Sequence, residues 1–239
     1  MTTTKTILDK NKPLIFFGDH HGSWNELFYL IDTKQIKNSY IFSVGDLGIG
    51  FKYKKEYEYS LAEKLNIVFA ENNNIFLGIR GNHDNSFFFT GENRINLSHF
   101  QLLEDYSLLE YNNKTIQAIG GAISVDRVGR KEGVSYWSDE GVVFKKSKCK
   151  KVDILVTHTA PTHCFPQQFN HIVYGWAKED SELLKDLTEE RKTMDKIFRL
   201  CQPNFHFYGH FHSSWSEEIN SCRHRLLNIN ELINFDLVN

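Results

Sequence analysis

Five short apolar runs in this sequence each end in side chains that commonly bind metal ions. The first run, Leu14–Phe17, is followed within four positions by one Asp and two His residues. The other four runs end in Asp, Asn or His in a similar way. The candidate ligands gathered from these run ends are Asp19, His21, Asp46, Asn82, His158, His210 and His212. Carboxylate, imidazole and amide oxygen together suit Mn²⁺, Fe²⁺ or Zn²⁺ and contain too much nitrogen for Ca²⁺.

This set contains more ligands than one ion can use. A tetrahedral or octahedral ion with an open position for substrate leaves several of the side chains without a role. Two ions about 3.5–4 Å apart, bridged by a shared carboxylate, account for the surplus. The sequence therefore predicts a pair of divalent cations.

Each candidate also has an ordinary structural interpretation. An Asp at a strand end is usually a turn or a helix cap, and an isolated His is usually a surface or satisfied interior residue. The segment 81–84 alone is compatible with a turn, since Asn and Gly favour left-handed backbone. His20 and His21 are adjacent, and Gly22 favours His21 as the ligand. The metal interpretation rests on the presence of all the motifs, each at the end of a predicted strand.

Alternating strand and helix patterns must position these run ends. The predicted strands are 14–17, 40–44, 75–79, 115–119, 153–157, 205–208 and 225–229, and the predicted helices are 24–31, 53–69 and 179–200. In an α/β sheet the loops beyond the carboxyl ends of strands share one edge, so strands bring distant ligands together. We expect 205–208 and 225–229 to form a hairpin or meander. Segments 129–151 and 161–175 are expected to be insertions or lids.

Composition indicates an ordinary globular protein. The 239 residues are 41% hydrophobic and 24% charged, and we expect one domain over 1–239. The formal net charge is -2, so the chain lacks the overall positive charge that non-specific binding to nucleic acid needs. No apolar run is long enough for a signal peptide or a membrane span. The four cysteines lack CxxC spacing, so we expect reduced thiols in a cytoplasmic protein; they are Cys149, Cys164, Cys201 and Cys222.

The ordered motifs resemble those of the calcineurin-like metallophosphoesterases. The motifs that carry the resemblance are Gly-Asp-His-His-Gly at 18–22, Gly-Asp at 45–46, Gly-Asn-His-Asp at 81–84, Thr-His at 157–158 and Gly-His-Phe-His at 209–212. The resemblance spans 18–212. It implies an α/β fold in the form of a four-layer αββα sandwich, with two mixed β-sheets, flanking helices and a dinuclear centre at the sheet edge.

The resemblance also implies a role for each matched residue. By motif, the first metal takes Asp19, His21, Asp46 and His212, and the second takes Asp46, Asn82, His158 and His210, so Asp46 bridges. His83 matches the residue that handles a proton, and Asp84 is expected to orient it. The expected cofactors are two divalent ions, Mn²⁺ first, with Fe, Zn or Ni as alternatives.

Two departures concern the substrate. The second motif lacks the downstream Asp-Arg-Gly of the phosphoprotein phosphatases, which argues against a Ser/Thr protein phosphatase. The segment 120–126, with Arg127 and Arg130, looks like one found in microbial members of poorly defined specificity. We expect Asn82, Arg127 and Arg130 to contact substrate, although a strand and turn around a packed tryptophan is the ordinary interpretation of that region.

The function that follows is hydrolysis of a small phosphate mono- or diester by direct attack of a hydroxide bridging the two metals. His83 then acts as a general acid. A nuclease of the same chemistry is the first alternative, for which the lysine-rich run at 145–151 is a candidate contact, although such a run is more often a solvated turn. A non-catalytic scaffold is the second alternative, disfavoured because every metal-binding position is filled. Oligomeric state is left open.

Overall fold

The computed structural model describes residues 5–51 and 55–237 of the chain. Within these ranges there are twelve strands and four α-helices. The strands are β1 Thr6–Ile7, β2 Leu14–Phe17, β3 Tyr40–Ser43, β4 Ile75–Gly78, β5 Phe100–Leu102, β6 Ser107–Tyr111, β7 Lys114–Ile119, β8 Ile154–Thr157, β9 Phe205–Tyr208, β10 Trp215–Ile219, β11 Cys222–Leu226 and β12 Leu232–Asn234. The helices are α1 Trp24–Thr33, α2 Lys55–Glu71, α3 His171–Trp176 and α4 Leu183–Cys201.

The strands form two mixed sheets. The five-stranded sheet has the order β12-β2-β3-β4-β5, in which β2 to β5 are parallel and β12 is antiparallel to β2. The seven-stranded sheet has the order β1-β6-β7-β8-β9-β11-β10. Its central strands β7, β8, β9 and β11 are parallel, while β6 and β10 pair antiparallel with β7 and β11. Both sheets therefore have a parallel centre whose carboxyl ends can share ligands.

The strands at the sheet centres are apolar on both faces because both faces are covered. Every residue of β2, β3 and β8 is buried. Between the sheets, the ring of Phe16 from β2 stacks on that of Phe207 from β9, with centroids 3.7 Å apart. This inter-sheet core also includes Leu77 and Ile154. Side chains from the two sheets therefore interdigitate in one continuous apolar layer.

Helices cover the outer face of each sheet. Helices α1 and α2 pack Leu27 and Phe69 against Phe76 and neighbouring residues of the five-stranded sheet. Helix α4 packs Met194 and Ile197 against the outer face of the seven-stranded sheet. The amphipathic spacing of each helix supplies the apolar face that this packing needs. The resulting order of layers, helix–sheet–sheet–helix, confirms the predicted αββα sandwich.

Several boundaries differ from the sequence prediction. The last predicted strand, 225–229, lies instead at Cys222–Leu226 and pairs parallel with β9, so the expected hairpin with 205–208 is wrong. The hairpin partner of β11 is β10, whose polar, exposed residues gave no apolar signal. Helix α4 starts at Leu183 because Asp180 accepts a hydrogen bond from the Glu182 amide in a turn. The predicted start of α2 at Tyr53 lies outside the described residues.

The two segments expected to be insertions contain little regular structure. Residues 129–151 include a short 3₁₀ turn at Lys146–Lys148. Residues 161–170 form a loop, and residues 171–175 belong to α3. Among residues 5–51 and 55–237, no helix combines the length and the apolar character needed to cross a bilayer.

Candidate metal centre

The seven predicted ligands lie in loops that follow strands of both sheets. In the five-stranded sheet, Asp19 and His21 follow β2, Asp46 follows β3 and Asn82 follows β4. In the seven-stranded sheet, His158 directly follows β8, and His210 and His212 follow β9. The parallel direction of these strands places all the loops at one edge of the sandwich. The structure brings all seven side chains together there.

Four of these side chains form a first group. Asp19, His21, Asp46 and His212 each offer one ligand atom, and these atoms all lie within 4.8 Å of one another. Nε2 of His21 is 3.1 Å from Nε2 of His212. Nε2 of His212 is 3.6 Å from Oδ2 of Asp19, and Nδ1 of His21 is 3.7 Å from Oδ2 of Asp46. Two imidazoles and two carboxylates therefore face one small volume.

Asn82, His158 and His210 form a second group with Asp46. Oδ1 of Asn82 lies 2.9 Å from Nδ1 of His210 and 3.2 Å from Nε2 of His158. Nε2 of His158 is 3.1 Å from Oδ1 of Asp46. The two oxygens of Asp46 thus face different groups, with Oδ2 near His21 and Oδ1 near His158.

The backbone at four of these residues is left-handed. His21, Asp46, His210 and His212 have φ values of 49°, 51°, 69° and 46°. Such a conformation costs a non-glycine residue about 1–3 kcal/mol and persists only where the surroundings impose it. One restraint is the hydrogen bond from the His210 amide to Oδ2 of Asp19, 2.8 Å long. The side chains are therefore aimed into the site by an unusual backbone.

Two positions that directly precede candidate ligands, Gly81 and Gly209, accept only glycine. A Cβ at Gly81 would overlap the carboxylate of Asp46, and a Cβ at Gly209 would overlap that of Asp19. The backbone of each motif therefore approaches a carboxylate of another strand more closely than a larger residue allows. This explains why a glycine precedes Asn82 and His210 in the sequence.

The donor set fits divalent cations. Asp19 is 0% exposed, and its Oδ1 has no hydrogen-bond partner among the described residues. Burial raises the pKa of Asp19 to about 8, since nothing in the protein compensates its charge fully. Burial also lowers the pKa of His210 well below its ordinary value, so this imidazole is neutral and offers a lone pair. A cation placed between these groups would satisfy both the carboxylate and the imidazole.

His158 is held in the orientation of a ligand. Its Nδ1 lies 2.8 Å from the carbonyl oxygen of Val44, which can only accept, so Nδ1 carries a proton. Metal-binding histidines commonly donate their other ring N–H in this way. Burial lowers the pKa of His158, but Asp46 and Asp19 outweigh it and raise the pKa to about 10. The two carboxylates thus favour a positive charge at the position of this ring.

His83 lies at the rim of the site and contacts an arginine. Its Nε2 is 2.8 Å from Nη2 of Arg130. A guanidinium has no acceptor, so Nε2 accepts and the ring proton is on Nδ1. Burial is the first cause that lowers the pKa of His83, to about 4, and Arg130 adds to it. The ring centroid lies 4.6 Å from that of His21, which places a neutral imidazole beside the first group.

Asp84 does not hold the His83 ring, contrary to the expectation from sequence. Its Oδ2 accepts from the amides of Gly81 and Leu47, at 2.7 and 3.0 Å, and its Oδ1 accepts from that of Ile49, at 2.9 Å. These bonds tie the loop after β4 to the loop after β3. The hydrogen bond to the His83 ring comes from Arg130 instead.

The two candidate arginines have different environments. Arg127 forms ion pairs with Asp180 and Asp186, so its charge is matched by two carboxylates outside the metal-ligand groups. Arg130 also pairs with Asp126, at 2.7 Å, and its Nη1 donates to Oγ of Ser124, at 2.9 Å. Of the two, the structure brings only Arg130 to the site.

Sequence reasoning missed Ser124 and Glu140. Oγ of Ser124 accepts from Nδ2 of Asn82, at 3.1 Å, which turns Oδ1 of Asn82 toward the histidines. Glu140 accepts from both the amide and the hydroxyl of Ser124. Burial raises the pKa of Glu140 to about 7. No signal in the sequence marks Glu140 as the partner of Ser124.

A cavity of about 520 Å³ opens beside the histidines after β9. His210 and His212 form one side of it. Its apolar wall comes mainly from the loop after β8 and from α3, and consists of Phe165, Phe169, Ile172, Val173 and Phe211. An apolar recess of this size next to polar ligand groups is typical of a small-molecule site.

Comparison with solved structures found neighbours with low sequence identity. A predicted phosphoesterase of Streptococcus pneumoniae is 13% identical, with 91% of this chain and 72% of that chain covered and a TM-score of 0.35. An archaeal phosphodiesterase is 10% identical, with 90% and 83% covered and a TM-score of 0.39. The phosphopantetheinyl hydrolase of Mycobacterium tuberculosis is 11% identical, with 91% and 90% covered and a TM-score of 0.46. These similarities do not bear on the substrate of this chain.

A search of curated protein sequences found no match. A family description, in contrast, matches most of the chain: the calcineurin-like phosphoesterases match over residues 12–214. The matched range includes all seven candidate ligands as well as His83 and Arg130. This chain therefore belongs to the calcineurin-like phosphoesterase family and is a metal-dependent phosphoester hydrolase.

Proposed function

We propose that this enzyme uses two divalent cations, bridged by Asp46, to hydrolyse a small phosphoester. The proposed ligands are Asp19, His21, Asp46 and His212 for the first ion, and Asp46, Asn82, His158 and His210 for the second. The observation that carries the proposal is the division of the Asp46 carboxylate, whose Oδ2 faces His21 and whose Oδ1 faces His158. Mn²⁺ is the proposed metal, and Fe, Zn and Ni suit the same donors.

The protein's own groups complete the proposed chemistry. When bound, a pair of such ions lowers the pKa of a coordinated water and neutralises charge on the phosphate. His83 keeps its proton on Nδ1 while Nε2 accepts from Arg130. We assign His83 a hydrogen bond from Nδ1–H to the departing oxygen, where negative charge develops, in place of the general-acid role expected from the sequence, because a neutral imidazole has no acidic proton to transfer. Arg130 lies beside it as a fixed positive charge for a phosphate oxygen, and Asn82 keeps its place through Ser124.

The proposed substrate carries an apolar group on its phosphoester. The cavity beside His210 and His212 has a mainly apolar wall and about 520 Å³ of space. A bulky apolar substituent placed there leaves its phosphate at the metal ligands. The burial of such a substituent contributes about 25 cal/mol per Å² of apolar surface removed from water. We therefore expect alkyl or aryl phosphoesters to be better substrates than small polar ones.

A nuclease is the less favoured alternative. A nuclease needs cations along a groove that leads to the metals. Lys148 and Lys150 of the lysine-rich run line a separate hollow with Leu108, and that hollow contains none of the seven candidate ligands. The charge balance of the chain gives no further support, since acidic residues slightly outnumber basic ones.

A non-catalytic scaffold is also disfavoured, because the seven ligand side chains and the unpartnered Asp19 oxygen are all retained. The proposal includes a cytoplasmic location. All four cysteines are free, as is usual for thiols in a reducing compartment.

The test is a panel of phosphomonoesters and phosphodiesters with graded apolar groups, assayed with Mn²⁺, Fe²⁺, Zn²⁺ or Ni²⁺ and again after chelation. We expect metal-dependent turnover whose kcat/KM rises with the size of the apolar group. Single-stranded DNA and RNA serve as competing substrates across a salt series. Faster cleavage of nucleic acid with a steep loss at high salt would favour the nuclease, and absence of metal-dependent turnover on the whole panel would favour the scaffold.

A further inference from the structure

A second group of metal-binding side chains lies away from the candidate centre. His163, Cys164 and His224 each offer one ligand atom, and these atoms all lie within 4.8 Å of one another. Cys164 is buried in the loop after β8, and His224 is in the middle of β11. His206 of β9 is the register partner of His224. A loop and two neighbouring strands thus contribute to the group.

The hydrogen-bond geometry leaves one nitrogen of His224, Nε2, without a partner in the described part of the chain in either tautomer. Nδ1 of His224 is 3.1 Å from Sγ of Cys164 and also 3.1 Å from Nδ1 of His206. Oγ1 of Thr157 donates to the carbonyl of Thr159, at 2.5 Å, so it accepts from Nε2 of His206, at 2.8 Å. His206 therefore carries its proton on Nε2, and its Nδ1 presents a lone pair to His224.

A single proton on Nδ1 of His224 cannot serve both neighbours. If Nδ1 gives its proton to His206, the Cys164 thiol finds no acceptor on this atom; if Nδ1 carries no proton, it accepts from the thiol but opposes the lone pair of His206 at 3.1 Å. Nε2 of His224 has no hydrogen-bond partner among the described residues, although the residue is only 2% exposed. Burial lowers the pKa of His206 and of His224, the latter to about 4, so both rings are neutral. Neutral imidazoles and a thiol are the donor types that zinc takes in structural sites.

We propose that His163, Cys164 and His224 bind a structural Zn²⁺, with His206 or a water molecule in the fourth position. On binding, the Cys164 thiol releases its proton to solvent and a zinc–sulfur bond forms. Zinc–nitrogen and zinc–sulfur bond lengths place tetrahedral ligand atoms about 3.3–3.6 Å apart. Sγ of Cys164 and Nδ1 of His224 are 3.1 Å apart, and the ligand atom of His163 lies within 4.8 Å of both. His163 is half-buried, which gives the ion a route from solvent. Asp195, 3.8 Å from Nδ1 of His163, is placed to support that ring.

The proposed ion has a structural consequence. It joins the loop after β8 to strand β11, and the same loop contributes Phe165 and Phe169 to the apolar cavity. The candidate catalytic groups contain no sulfur donor, whereas this group has one. A thiolate ligand therefore distinguishes the two kinds of site by spectroscopy.

The test uses Co²⁺ in place of Zn²⁺ in the full-length protein. We expect a thiolate-to-cobalt charge-transfer band in the near ultraviolet, whose amplitude at saturation corresponds to one thiolate-bound Co²⁺ per chain. The band disappears in Cys164→Ser and weakens in His163→Gln. It persists in Cys222→Ser, a matched control because Cys222 is also buried but outside the group. It also persists in Asp46→Ala, which alters the candidate catalytic centre.

A wild-type protein that binds Co²⁺ without a thiolate band would overturn the proposal, as would a band that survives in Cys164→Ser. Circular dichroism establishes that each variant is folded. If Cys164→Ser does not fold, His163→Gln decides, since its side chain is half-buried and its loss leaves the core intact. An unchanged cobalt affinity in a folded His163→Gln variant would refute its role as a ligand. The cobalt measurements do not depend on phosphoesterase activity, so they test the zinc site even if the proposed function is wrong.

Discussion

Nη2 of Arg130 lies 2.8 Å from Nε2 of His83, and the same guanidinium donates from Nη1 to Ser124, the residue that holds Asn82. Arg130, in the segment after β7, thus contacts His83 directly and Asn82 through Ser124. Because a guanidinium only donates, the contact fixes His83 as a neutral ring with its proton on Nδ1. The segment 120–130 is therefore part of the site.

We expect His83→Ala to lower kcat by roughly 10²–10³-fold on an aryl phosphate, the usual cost of removing one hydrogen-bond donor aimed at charge that develops in the transition state. Metal content should stay the same, because His83 contacts Asp46 through its backbone amide, at 2.9 Å, which the substitution keeps. Steady-state kinetics and metal analysis of the purified variant check both parts. Turnover equal to that of the parent would exclude a role for His83 in stabilising the departing oxygen.

Arg130→Ala and Arg127→Ala form a matched pair. Loss of a charged hydrogen bond to a phosphate oxygen corresponds to about 1.5–3 kcal/mol, so kcat/KM of Arg130→Ala should fall by roughly 10–100-fold. Arg127 pairs with Asp180 and Asp186, so its replacement should affect thermal stability rather than kcat/KM. Kinetics and thermal unfolding of both variants check this. Equal losses of kcat/KM in the two would mean that Arg130 has no special role.

Asp46→Ala should remove both ions from the candidate centre, because one carboxylate faces both groups of ligands. His21→Ala should lose one ion and keep the other, since His21 belongs to the first group alone. Equilibrium dialysis against Mn²⁺ counts the bound ions in the parent and in each variant. If Asp46→Ala still bound one equivalent, the bridging assignment would be wrong.

The apolar cavity yields a prediction about selectivity. Ile172→Ser should raise KM several-fold for a phosphoester with a bulky apolar group and leave KM for a small one unchanged, because Ile172 lines the cavity. Tyr174→Ser on the same helix is the control, since Tyr174 is equally exposed but lines a different hollow. The two KM ratios are the measurement. A parallel change in both variants would point to a general disturbance of α3.

Glu190 predicts a pH dependence of stability. This residue of α4 is 6% exposed, and burial raises its pKa to about 7 from an ordinary 4.5. Between those values the folded state keeps a proton that the unfolded state releases, so the free energy of unfolding falls as pH rises through this window. The full loss, above the folded pKa, is about 3 kcal/mol. Below about pH 4.5 both states are protonated and the contribution disappears.

The variant that tests this is Glu190→Gln, which cannot ionise. We expect it to match the parent near pH 4.5 and to exceed it by up to about 3 kcal/mol near pH 8. Urea unfolding across that range gives the difference. Titrating groups that do not interact with Glu190 cancel, whereas Glu140, whose pKa Glu190 helps to raise, adds a smaller contribution of its own. Parallel stability curves would show that Glu190 is not the group responsible.

The sequence predicted the regular parts of the fold better than its edges. Apolar runs such as Leu14–Phe17 mark strands because both faces of a parallel sheet are buried. Strand β10 gave no such signal, since it lies at an edge and is polar and largely exposed. The sequence pattern therefore predicts a hairpin where the structure has β11 paired parallel with β9. Register across a sheet depends on tertiary contacts that local patterns do not contain.

The site shows the same division. Motif order was enough to name the seven side chains that the structure brings together. Partners within the site were harder to predict, because Asp84 bonds to backbone amides and Arg130 takes the contact with His83. Glu140 acts through Ser124, and nothing in its local sequence reveals a contact formed across a loop.

The ligands come from two sheets that are joined mainly by apolar packing, such as the stacked rings of Phe16 and Phe207. Each proposed ion takes ligands from both sheets and so acts as a clamp across the sandwich. Cation affinity and core packing should then be thermodynamically coupled. A substitution that opens a cavity between the sheets should lower the affinity for metal. Bound metal should in turn reduce the loss of folding stability that such a substitution causes. The side chains buried between the sheets should therefore contribute to metal affinity.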